Sequence, residues 1–497
     1  MNANLFARFD TVFDEHSARV CLHLPYSSAW TYSDLHRSAG CMAAALRHAG
    51  VGPGDRVVVQ VPKTPHAIAL YLATLQIGGV YVPLNTDYTA TEVAYFLGDA
   101  EPSLYVARND SETGMTTLTL DENGDGSLAE LASSLQPDLH VAERTGDDLA
   151  AILYTSGTTG RSKGAMLTHH NLTSNADTLI SYWSWRTDDV LLHALPIYHV
   201  HGLFVASHCV MLTGSSMIFL PRFDVETVVR HLPSATVLMG VPTFYARLVD
   251  SSLFTREVAA SIRLFVSGSA PLTKQTFEAF ERRTGHRILE RYGMSETGMN
   301  TSNPLEGERV AGTVGYPLPG IELRITNDAG EPLPAGEIGG IEIRGPNVFV
   351  GYWRMPEKTR EEFREDGYFK TGDIGVVDTE GRYSIVGREK DVVISGGLNV
   401  YPKEIESVID TVPGVVESAV IGVPHPDFGE AVIAVVVGDR DIGLSAVLTA
   451  LSGKLARFKQ PKRIVQVDEL PRNTMGKVQK NVLRELYSDQ FRGGTRG

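Results

Sequence analysis

Cysteine is scarce in this chain, with only Cys21, Cys41 and Cys209 among 497 residues. These cysteines have no paired spacing, so the sequence excludes a disulfide framework or a cysteine-based zinc cluster and suits a reducing compartment. Basic residues are outnumbered by acidic ones. The resulting net charge of −14 at pH 7 argues against general binding to nucleic acid or to anionic membranes.

Long apolar runs are also lacking. The longest stretch, "HAIALYLATLQIGGVYVPL" (66–84), is broken by Thr74, Gln76 and a Gly-Gly pair, and it predicts a buried helix, a turn and a strand rather than a membrane span. The N-terminal segment contains early acidic residues and no continuous apolar core, which is atypical of a signal or transit peptide. We therefore predict a cytoplasmic protein without a membrane partner.

The composition, with 43% hydrophobic and 21% charged residues, is that of a globular protein long enough for at least two domains. Short apolar runs that end in turns alternate with helical patterns over most of the chain, including "DRVVVQVP", "VLLHALP", "SMIFLP", "ATVLMGVP" and "IRLFVSGSAP". This alternation predicts a large α/β domain with mostly parallel sheets, in which ligands bind at the strand ends.

After "GREKD" (387–391) the pattern changes to strands such as "VVESAVIGVP" and "AVIAVVVG" between helical stretches. We predict a large domain over residues 1–389 and a small, mobile α+β domain over 390–497, with the hinge at Lys390. From Lys454 onwards the chain has 11 Lys/Arg against 4 Asp/Glu. This basic tail is either a solvated helix face or a surface for phosphates.

The segment "YTSGTTGRSKG" (154–164) is rich in glycine and hydroxyl side chains and contains Lys163. Such a loop brings backbone amides close to a ligand and can surround phosphate oxygens. It does not fit the Walker pattern, because Lys163 is followed by Gly164 rather than by Ser or Thr. By itself the segment could equally be a flexible linker.

Four further motifs follow in order: "ERYGMSET" (290–297), "YFKTGD" (368–373), "GREKD" (387–391) and "PRNTMGK" (471–477). This ordered set resembles the adenylate-forming superfamily of acyl-CoA synthetases over most of the chain. The resemblance implies that ATP activates a carboxylic acid as an acyl-adenylate, that Mg²⁺ is the cofactor, and that coenzyme A receives the acyl group.

By the same resemblance, the catalytic residues are Lys477, Thr155, Glu296 and His199, and Glu296 also binds the metal. The residues implied for ATP or AMP are Thr155, Ser156, Gly157, Thr158, Thr159, Lys163, Gly268, Ser269, Ala270, Pro271, Glu290, Arg291, Tyr292, Gly293, Met294, Ser295, Thr297, Asp373, Arg388 and Lys477. Taken singly, Asp373 could be a turn residue, Glu296 a solvated helix-start carboxylate and Lys477 a surface lysine.

Related enzymes are inactivated by acylation of the catalytic lysine, so the resemblance also implies a lysine acetyltransferase and a deacetylase that act on Lys477. For coenzyme A and the hinge, it implies Lys390, Ser395, Gly396, Gly397, Asn399 and Lys403. The two glycines could instead only form a helix cap or a turn.

The acid is the harder question. Segments such as "GVPTFYARL", "RLFVSGSAPL" and "RGPNVFVGYWRMPEKT" are similar to those of bacterial malonyl-CoA synthetases. That subfamily implies malonate as substrate, with the distal carboxylate held by Arg247 and Ser269. Methylmalonate adds one methyl group, which an apolar pocket discriminates only modestly, so we also expect activity on it. His199 and Arg291 are further candidates, unless they are a structural histidine and an ion-pair partner. Arg247 qualifies only if it is buried, because a surface arginine needs no anionic ligand. The alternative is another short-chain or aryl acid.

Overall fold

The computed structural model describes residues 2–25, 28–110, 114–155, 162–438, 442, 444–452, 454–473 and 476–491. The strands in chain order are β1 Val20–His23, β2 Trp30–Thr31, β3 Arg56–Gln60, β4 Val80–Pro83, β5 Leu104–Ala107, β6 Thr117–Thr119, β7 Leu149–Thr155, β8 Lys163–Thr168, β9 Val190–His193, β10 Ser216–Phe219, β11 Val237–Gly240, β12 Leu264–Ser267, β13 Leu289–Met294, β14 Gly298–Ser302, β15 Tyr316–Pro317, β16 Glu322–Thr326, β17 Gly339–Arg344, β18 Phe369–Val377, β19 Tyr383–Arg388, β20 Val393–Ser395, β21 Leu398–Val400, β22 Val415–His425, β23 Gly429–Gly438 and β24 Arg463–Val467.

The helices are α1 Leu5–Glu15, α2 Tyr32–His48, α3 Pro65–Gln76, α4 Ala90–Ala100, α5 Ser127–Ser134, α6 His169–Tyr182, α7 Ser207–Met211, α8 Val225–His231, α9 Pro242–Asp250, α10 Arg256–Ala259, α11 Lys274–Thr284, α12 Pro356–Glu362, α13 Pro402–Ile409, α14 Leu444–Ser452 and α15 Lys480–Leu486. A π-helical turn, His201–Ala206, leads into α7. The predicted helix in the longest apolar run is α3, whose residues from Ala67 to Gln76 are all buried. In the described part of the chain, none of the helices has the length and apolar composition that a membrane span requires.

Two sheets with mostly parallel strands form the large domain, as predicted. One has the strand order β6-β5-β3-β4-β7-β8, and the other β15-β14-β13-β12-β11-β9-β10-β1-β2. All five apolar runs singled out above are strands: β3, β9, β10, β11 and β12. Because β9, β11, β12 and β13 run parallel, the loops that follow them open at the same edge.

The large domain also contains an antiparallel sheet, β16-β17-β18-β19, which the sequence did not predict. Its connections explain the topology: only residues 378–382 separate β18 from β19, too few for the crossover that parallel strands need. In this sheet Asp373 lies opposite Arg388, so two motifs distant in sequence become neighbours.

The small C-terminal domain has its own sheet, β21-β20-β23-β22, with β24 pairing to β23. Its core is separate from that of the large domain and is built from residues such as Val393, Ile405, Val420 and Val447. The short helical turn Glu389–Asp391 connects the two sheets. The predicted architecture, a large α/β domain followed by a smaller α+β domain, is confirmed.

Candidate active site

Strands β7 and β8, which flank the glycine-rich segment in the sequence, are the antiparallel strands of a β-hairpin. Thr155 ends β7 and Lys163 begins β8, and the two residues face each other across the antiparallel pair. The hairpin base is supported by α4, from which the Tyr95 hydroxyl donates to the Ser162 carbonyl at 2.7 Å. Of the residues predicted to contact phosphate, Ser156, Gly157, Thr158 and Thr159 lie outside the described residues.

Glu296 lies in the turn between β13 and β14, beside this hairpin. Its side chain is buried, and its Oε1 accepts hydrogen bonds from the Tyr352 hydroxyl at 3.1 Å and from Thr155 Oγ1 at 3.4 Å. Burial raises the pKa of the Glu296 carboxyl, and the nearby Lys163 ammonium opposes that shift. A carboxylate of this kind needs a cation, which is what the predicted metal role requires.

Thr297 follows Glu296 and is fully buried. Its hydroxyl is without a hydrogen-bond partner among the described residues, while its carbonyl accepts from Asn347 Nδ2 at 2.6 Å. An orphaned hydroxyl beside a buried carboxylate suits a ligand oxygen. Gly293 and Met294 complete β13 and Ser295 begins the turn, so the whole "ERYGMSET" motif lies at the edge where the site forms.

A second group comprises Tyr292, Asp373 and Arg388. The Tyr292 hydroxyl donates to Asp373 Oδ2 at 2.6 Å, and Arg388 Nε lies 3.1 Å from Asp373 Oδ1. Asp373 raises the pKa of the Arg388 guanidinium and, after burial, that of the Tyr292 phenol. The structure therefore brings together the three residues predicted for adenine and ribose.

The "GSAP" loop, residues 268–271, follows β12. Ser269 has a φ of +72°, a left-handed conformation that is uncommon for a residue with a side chain. Ala270 and Pro271 continue the loop towards α11. Its neighbour Glu290 accepts from the Leu272 amide at 3.1 Å through Oε1, whereas Oε2 is buried without a partner in the described ranges. Burial raises the pKa of Glu290 to about 7.

Lys477 reaches this region from the small domain. The preceding Gly476 packs against Thr243 of α9, where an added Cβ would lie 3.1 Å from the threonine hydroxyl. Burial, followed by the positive charge of Arg388, lowers the pKa of Lys477 to about 8, while Asp373 and Glu296 oppose the shift. Lys477 thus lies within electrostatic range of both Glu296 and Asp373.

His199, predicted to act near the acid, is neutral in this environment. Burial lowers its pKa to about 3, with further contributions from the charges of Lys477 and Arg291. It can therefore donate or accept a hydrogen bond, but it provides no positive charge for a carboxylate. His201, which the sequence reasoning missed, is fully buried. Its Nδ1 lies 3.3 Å from Ser269 Oγ, and its Nε2 has no partner within the described structure.

Arg291 is the residue in this region with the greatest need for an anion. It is 2% exposed, and neither its Nε nor its Nη2 has a hydrogen-bond partner among the residues described. Burial lowers its pKa to about 9. The guanidinium lies on the backbone of Gly268, where a Cβ would come within 2.4 Å of Arg291 Cζ. Because side chains alternate along β13, Arg291 projects from the face opposite to Tyr292, which separates it from the nucleotide group.

The role predicted for Arg247 at the malonate carboxylate stays a prediction. Arg247 lies on α9 as expected from the sequence, but its side chain is exposed, whereas Tyr245 and Leu248 face the core. A solvated guanidinium needs no bound carboxylate. The argument that pointed to Arg247, an arginine buried without an anionic partner, applies instead to Arg291.

The residues predicted for the hinge and coenzyme A follow strand β19 in the chain. Lys390 is exposed in the turn Glu389–Asp391, and burial of part of its side chain lowers its pKa. Ser395 ends β20, the glycines after it form the tight turn to β21 with φ of +61° and +79°, and Asn399 is exposed on β21. Lys403 lies in the first turn of α13. Helix α13 is held to the segment that follows Lys477 by the ion pair between Lys480 Nζ and Glu406 Oε1, at 2.6 Å.

The sequence reasoning also missed Tyr352 and Glu362. The Tyr352 ring lies under the Lys163 ammonium, 4.1 Å from Nζ to the ring centroid, and Glu362 Oε1 is 3.5 Å from the same Nζ. A single aromatic residue and one of several glutamates in a charged segment carry no sequence signal that would distinguish them. Their contacts with Lys163 become visible only in the folded structure, where the segment 352–362 packs against the β7–β8 hairpin.

Comparison with known proteins agrees with this arrangement. The AMP-binding enzyme family matches residues 9–353, and the AMP-binding enzyme C-terminal domain matches residues 404–477. A malonate–CoA ligase from Arabidopsis thaliana is 38% identical, covering 88% of this chain and 79% of its own. A feruloyl-CoA synthase from Amycolatopsis is 35% identical over 93% of this chain and 94% of that protein.

Among solved structures, ATP-bound MatB from Rhodopseudomonas palustris is 54% identical, covers 99% of this chain and 100% of its own, and has a TM-score of 0.96. The apo form of MatB, 55% identical with the same coverage, has a TM-score of 0.84. The present arrangement is thus more similar to the nucleotide-bound form. The chain belongs to the AMP-binding enzymes of the adenylate-forming superfamily, and within that superfamily it groups with the malonyl-CoA synthetases.

Proposed function

We propose that this enzyme ligates malonate to coenzyme A with ATP, giving malonyl-CoA, AMP and pyrophosphate through a malonyl-adenylate. ATP and coenzyme A follow from membership of the family and from the similarity to ATP-bound MatB. The acid needs a separate argument, because relatives at 35–38% identity are named both for malonate and for feruloyl-CoA.

The proposal rests on the buried guanidinium of Arg291, in which two nitrogen atoms, Nε and Nη2, have no hydrogen-bond partner among the described residues. A charged group in such a position destabilises the protein unless an anion binds there. The distal carboxylate of malonate can accept a hydrogen bond from each of these two nitrogens. Ser269 and His201 provide further polar atoms nearby. Acetate has no second carboxylate, and an aryl acid would leave the guanidinium unsatisfied.

We assign Asp373 and Arg388 to the ribose, Tyr292 to the adenine, and Lys163, Thr155 and Thr297 to the phosphates. Glu296 fits Mg²⁺, because it is a buried carboxylate next to a hydroxyl that lacks a partner. No group of three or more His, Cys, Asp or Glu able to hold a metal occurs in the described ranges, so phosphate oxygens and water would complete the coordination. The ion would neutralise charge on the phosphates.

Lys477 is the residue that we assign to the first chemical step. The attack of a malonate oxygen on the α-phosphate concentrates negative charge between the two reactants, and a lysine ammonium held there stabilises it. The protein therefore acts by position and charge, without a covalent intermediate of its own. For this role Lys477 must be protonated, although its pKa is lowered to about 8.

For thioester formation we propose that the small domain rotates about Lys390, at the boundary between residues 1–389 and 390–497. Rotation would withdraw Lys477 and bring forward the turn with Gly396 and Gly397, beside which Ser395, Asn399 and Lys403 would contact coenzyme A. Withdrawal of the Lys477 charge would also raise the pKa of His199, making that ring a better proton acceptor near the thiol.

A panel of acids assayed for their CoA thioesters tests the proposed substrate. Malonate should have the highest kcat/KM, followed by methylmalonate, because an extra methyl group is discriminated by only about 1–3 kcal/mol. Succinate, acetate and benzoate should be poor substrates. Preference for acetate or benzoate over malonate would refute the proposal and favour a short-chain or aryl acid ligase.

We further propose a cytoplasmic location and regulation by a lysine acetyltransferase and a deacetylase that act on Lys477. The free cysteines support the first point. The lowered pKa of Lys477 supports the second, because it increases the fraction of neutral amine that can attack an acyl donor.

A further inference from the structure

Lys163, which we assign to the ATP phosphates, already has an anionic neighbour. Its ammonium is 3.5 Å from Glu362 Oε1, and the two side chains are only 14% and 21% exposed. The Tyr352 ring holds the ammonium from below, and the Tyr352 hydroxyl donates to Glu296. The Tyr352 ring therefore positions the Lys163 ammonium beside the Glu296 carboxylate, which is predicted to bind the metal. Glu362 is the ion-pair partner of this ammonium.

Glu362 has a second cation. Lys358, one helical turn earlier on α12, lies 3.0 Å from the same Oε1 atom and 3.1 Å from Glu361 Oε2. Glu362 can therefore release Lys163 without becoming a partly buried carboxylate that lacks a cation. Once Glu362 moves away, the partly buried Lys163 ammonium can pair with another anion such as a phosphate.

We propose that Glu362 occupies the place of a phosphate on Lys163: ATP displaces it, and its return to Lys163 promotes the release of pyrophosphate. This inference rests on the proposed phosphate role of Lys163. The exchange replaces one carboxylate with the more highly charged phosphate chain, while Lys358 retains Glu362. Because Glu362 competes with each bound phosphate chain, it weakens the binding of both ATP and pyrophosphate, and it prevents strong inhibition by the product.

A purely structural ion pair would behave differently. If Glu362 only fixed the end of α12, its removal would loosen the site and weaken the binding of phosphates. If it competes for Lys163, the same removal strengthens that binding. The sign of the change in affinity therefore distinguishes the two roles.

The experiment is a calorimetric titration of the full-length enzyme with magnesium pyrophosphate at fixed ionic strength. Glu362→Gln should bind pyrophosphate about fivefold more tightly than the natural enzyme, as expected for loss of a partly exposed competing ion pair. Product inhibition of malonate-dependent turnover should become stronger by a similar factor. Glu362→Ala provides a second variant, and Glu361→Gln is the matched control, because Glu361 contacts Lys358 and is 65% exposed.

The control should bind pyrophosphate within about twofold of the natural enzyme, since an exposed charge is largely screened. Lys163→Met should weaken binding, and adding Glu362→Gln to it should give no gain. Unchanged or weaker binding by both Glu362 variants, with Lys163→Met still defective, would overturn the exchange and leave the assignment of Lys163 intact. Full affinity in Lys163→Met would overturn that assignment itself.

Discussion

Replacement of Arg291 by methionine separates the acid site from the rest of the enzyme. Methionine retains the length and the apolar stem of arginine but removes the two N–H groups that have no partner in the described part of the protein. The side chain is 2% exposed, so water cannot replace what the substitution removes. Malonate should lose its proposed partner, while ATP should bind as before because Arg291 and Tyr292 lie on opposite faces of β13.

The expected loss can be worked out from those two donors. A hydrogen bond to a charged group contributes about 1.5–3 kcal/mol, so two of them contribute about 3–6 kcal/mol. The value of kcat/KM for malonate should then fall by roughly 10²- to 10⁴-fold. Acetate has no distal carboxylate, so its low kcat/KM should change by less than about tenfold.

Although Arg291→Met should lose activity on malonate, its thermal stability should not fall. The guanidinium is buried, which lowers its pKa to about 9, and it lacks an anionic partner among the described residues. Replacing a buried, uncompensated charge by an apolar side chain of similar size is neutral or stabilising. The thermal midpoint of ligand-free Arg291→Met should therefore equal or exceed that of the natural enzyme.

The assay is steady-state release of pyrophosphate with malonate or acetate, combined with a thermal melt of each variant. Arg247→Met is the matched control, because Arg247 is an exposed arginine on the adjoining helix α9. It should change malonate kcat/KM by less than about threefold, as expected for a surface substitution. Retained malonate kinetics in Arg291→Met would refute the assignment. A lower midpoint with loss on every acid would indicate a structural role instead.

Three further predictions concern Gly268 and Lys477. Gly268→Ala places a Cβ 2.4 Å from Arg291 Cζ, so it should displace the guanidinium and lower malonate kcat/KM by about 10- to 100-fold. An unchanged kcat/KM would contradict this contact. The protonated form of Lys477 is required, and its pKa is lowered to about 8. The rate of malonate-dependent pyrophosphate release should therefore be constant below that pH and fall about tenfold per pH unit above it. A rate that stays constant up to pH 10 would contradict the catalytic role of Lys477. Acetylation of Lys477 should lower the rate of pyrophosphate release in proportion to the acetylated fraction measured by mass spectrometry, because it removes the positive charge of the lysine. Full activity of a fully acetylated sample would refute this.

Much of the fold was predictable because its signals are local. Apolar runs that end in Gly or Pro predicted β9 to β12, and the apolar stretch 66–84 predicted the helix α3, the turn after it and the strand β4. The antiparallel sheet β16-β17-β18-β19 was not predicted. Its strands are only partly buried and their pattern is mixed, so periodicity does not separate them from loops.

The nucleotide residues were predictable as a set, since ordered motifs specify which side chains meet, but their contacts were not. The ion pair between Asp373 and Arg388 depends on the register of β18 and β19, which depends on a bulge between Ile374 and Gly375. Burial decided between the two arginines, and burial depends on how α9 packs. The period of α9 places Tyr245 and Leu248 in the core and leaves Arg247 outside.

Strand β13 explains why one scaffold can serve different acids. Neighbouring side chains on a strand point to opposite faces, so Glu290 and Tyr292 lie on one face and Arg291, which we assign to the acid, lies on the other. Lys477, from the small domain, lies within electrostatic range of both Arg291 and Asp373, where we propose that the two substrates meet. A change on the acid face therefore leaves the ribose and adenine contacts in place. This separation is consistent with relatives of similar identity that are named for malonate and for ferulate, and it predicts that the residue at position 291, rather than the glycine-rich loop, differs between enzymes that use one or two carboxylates.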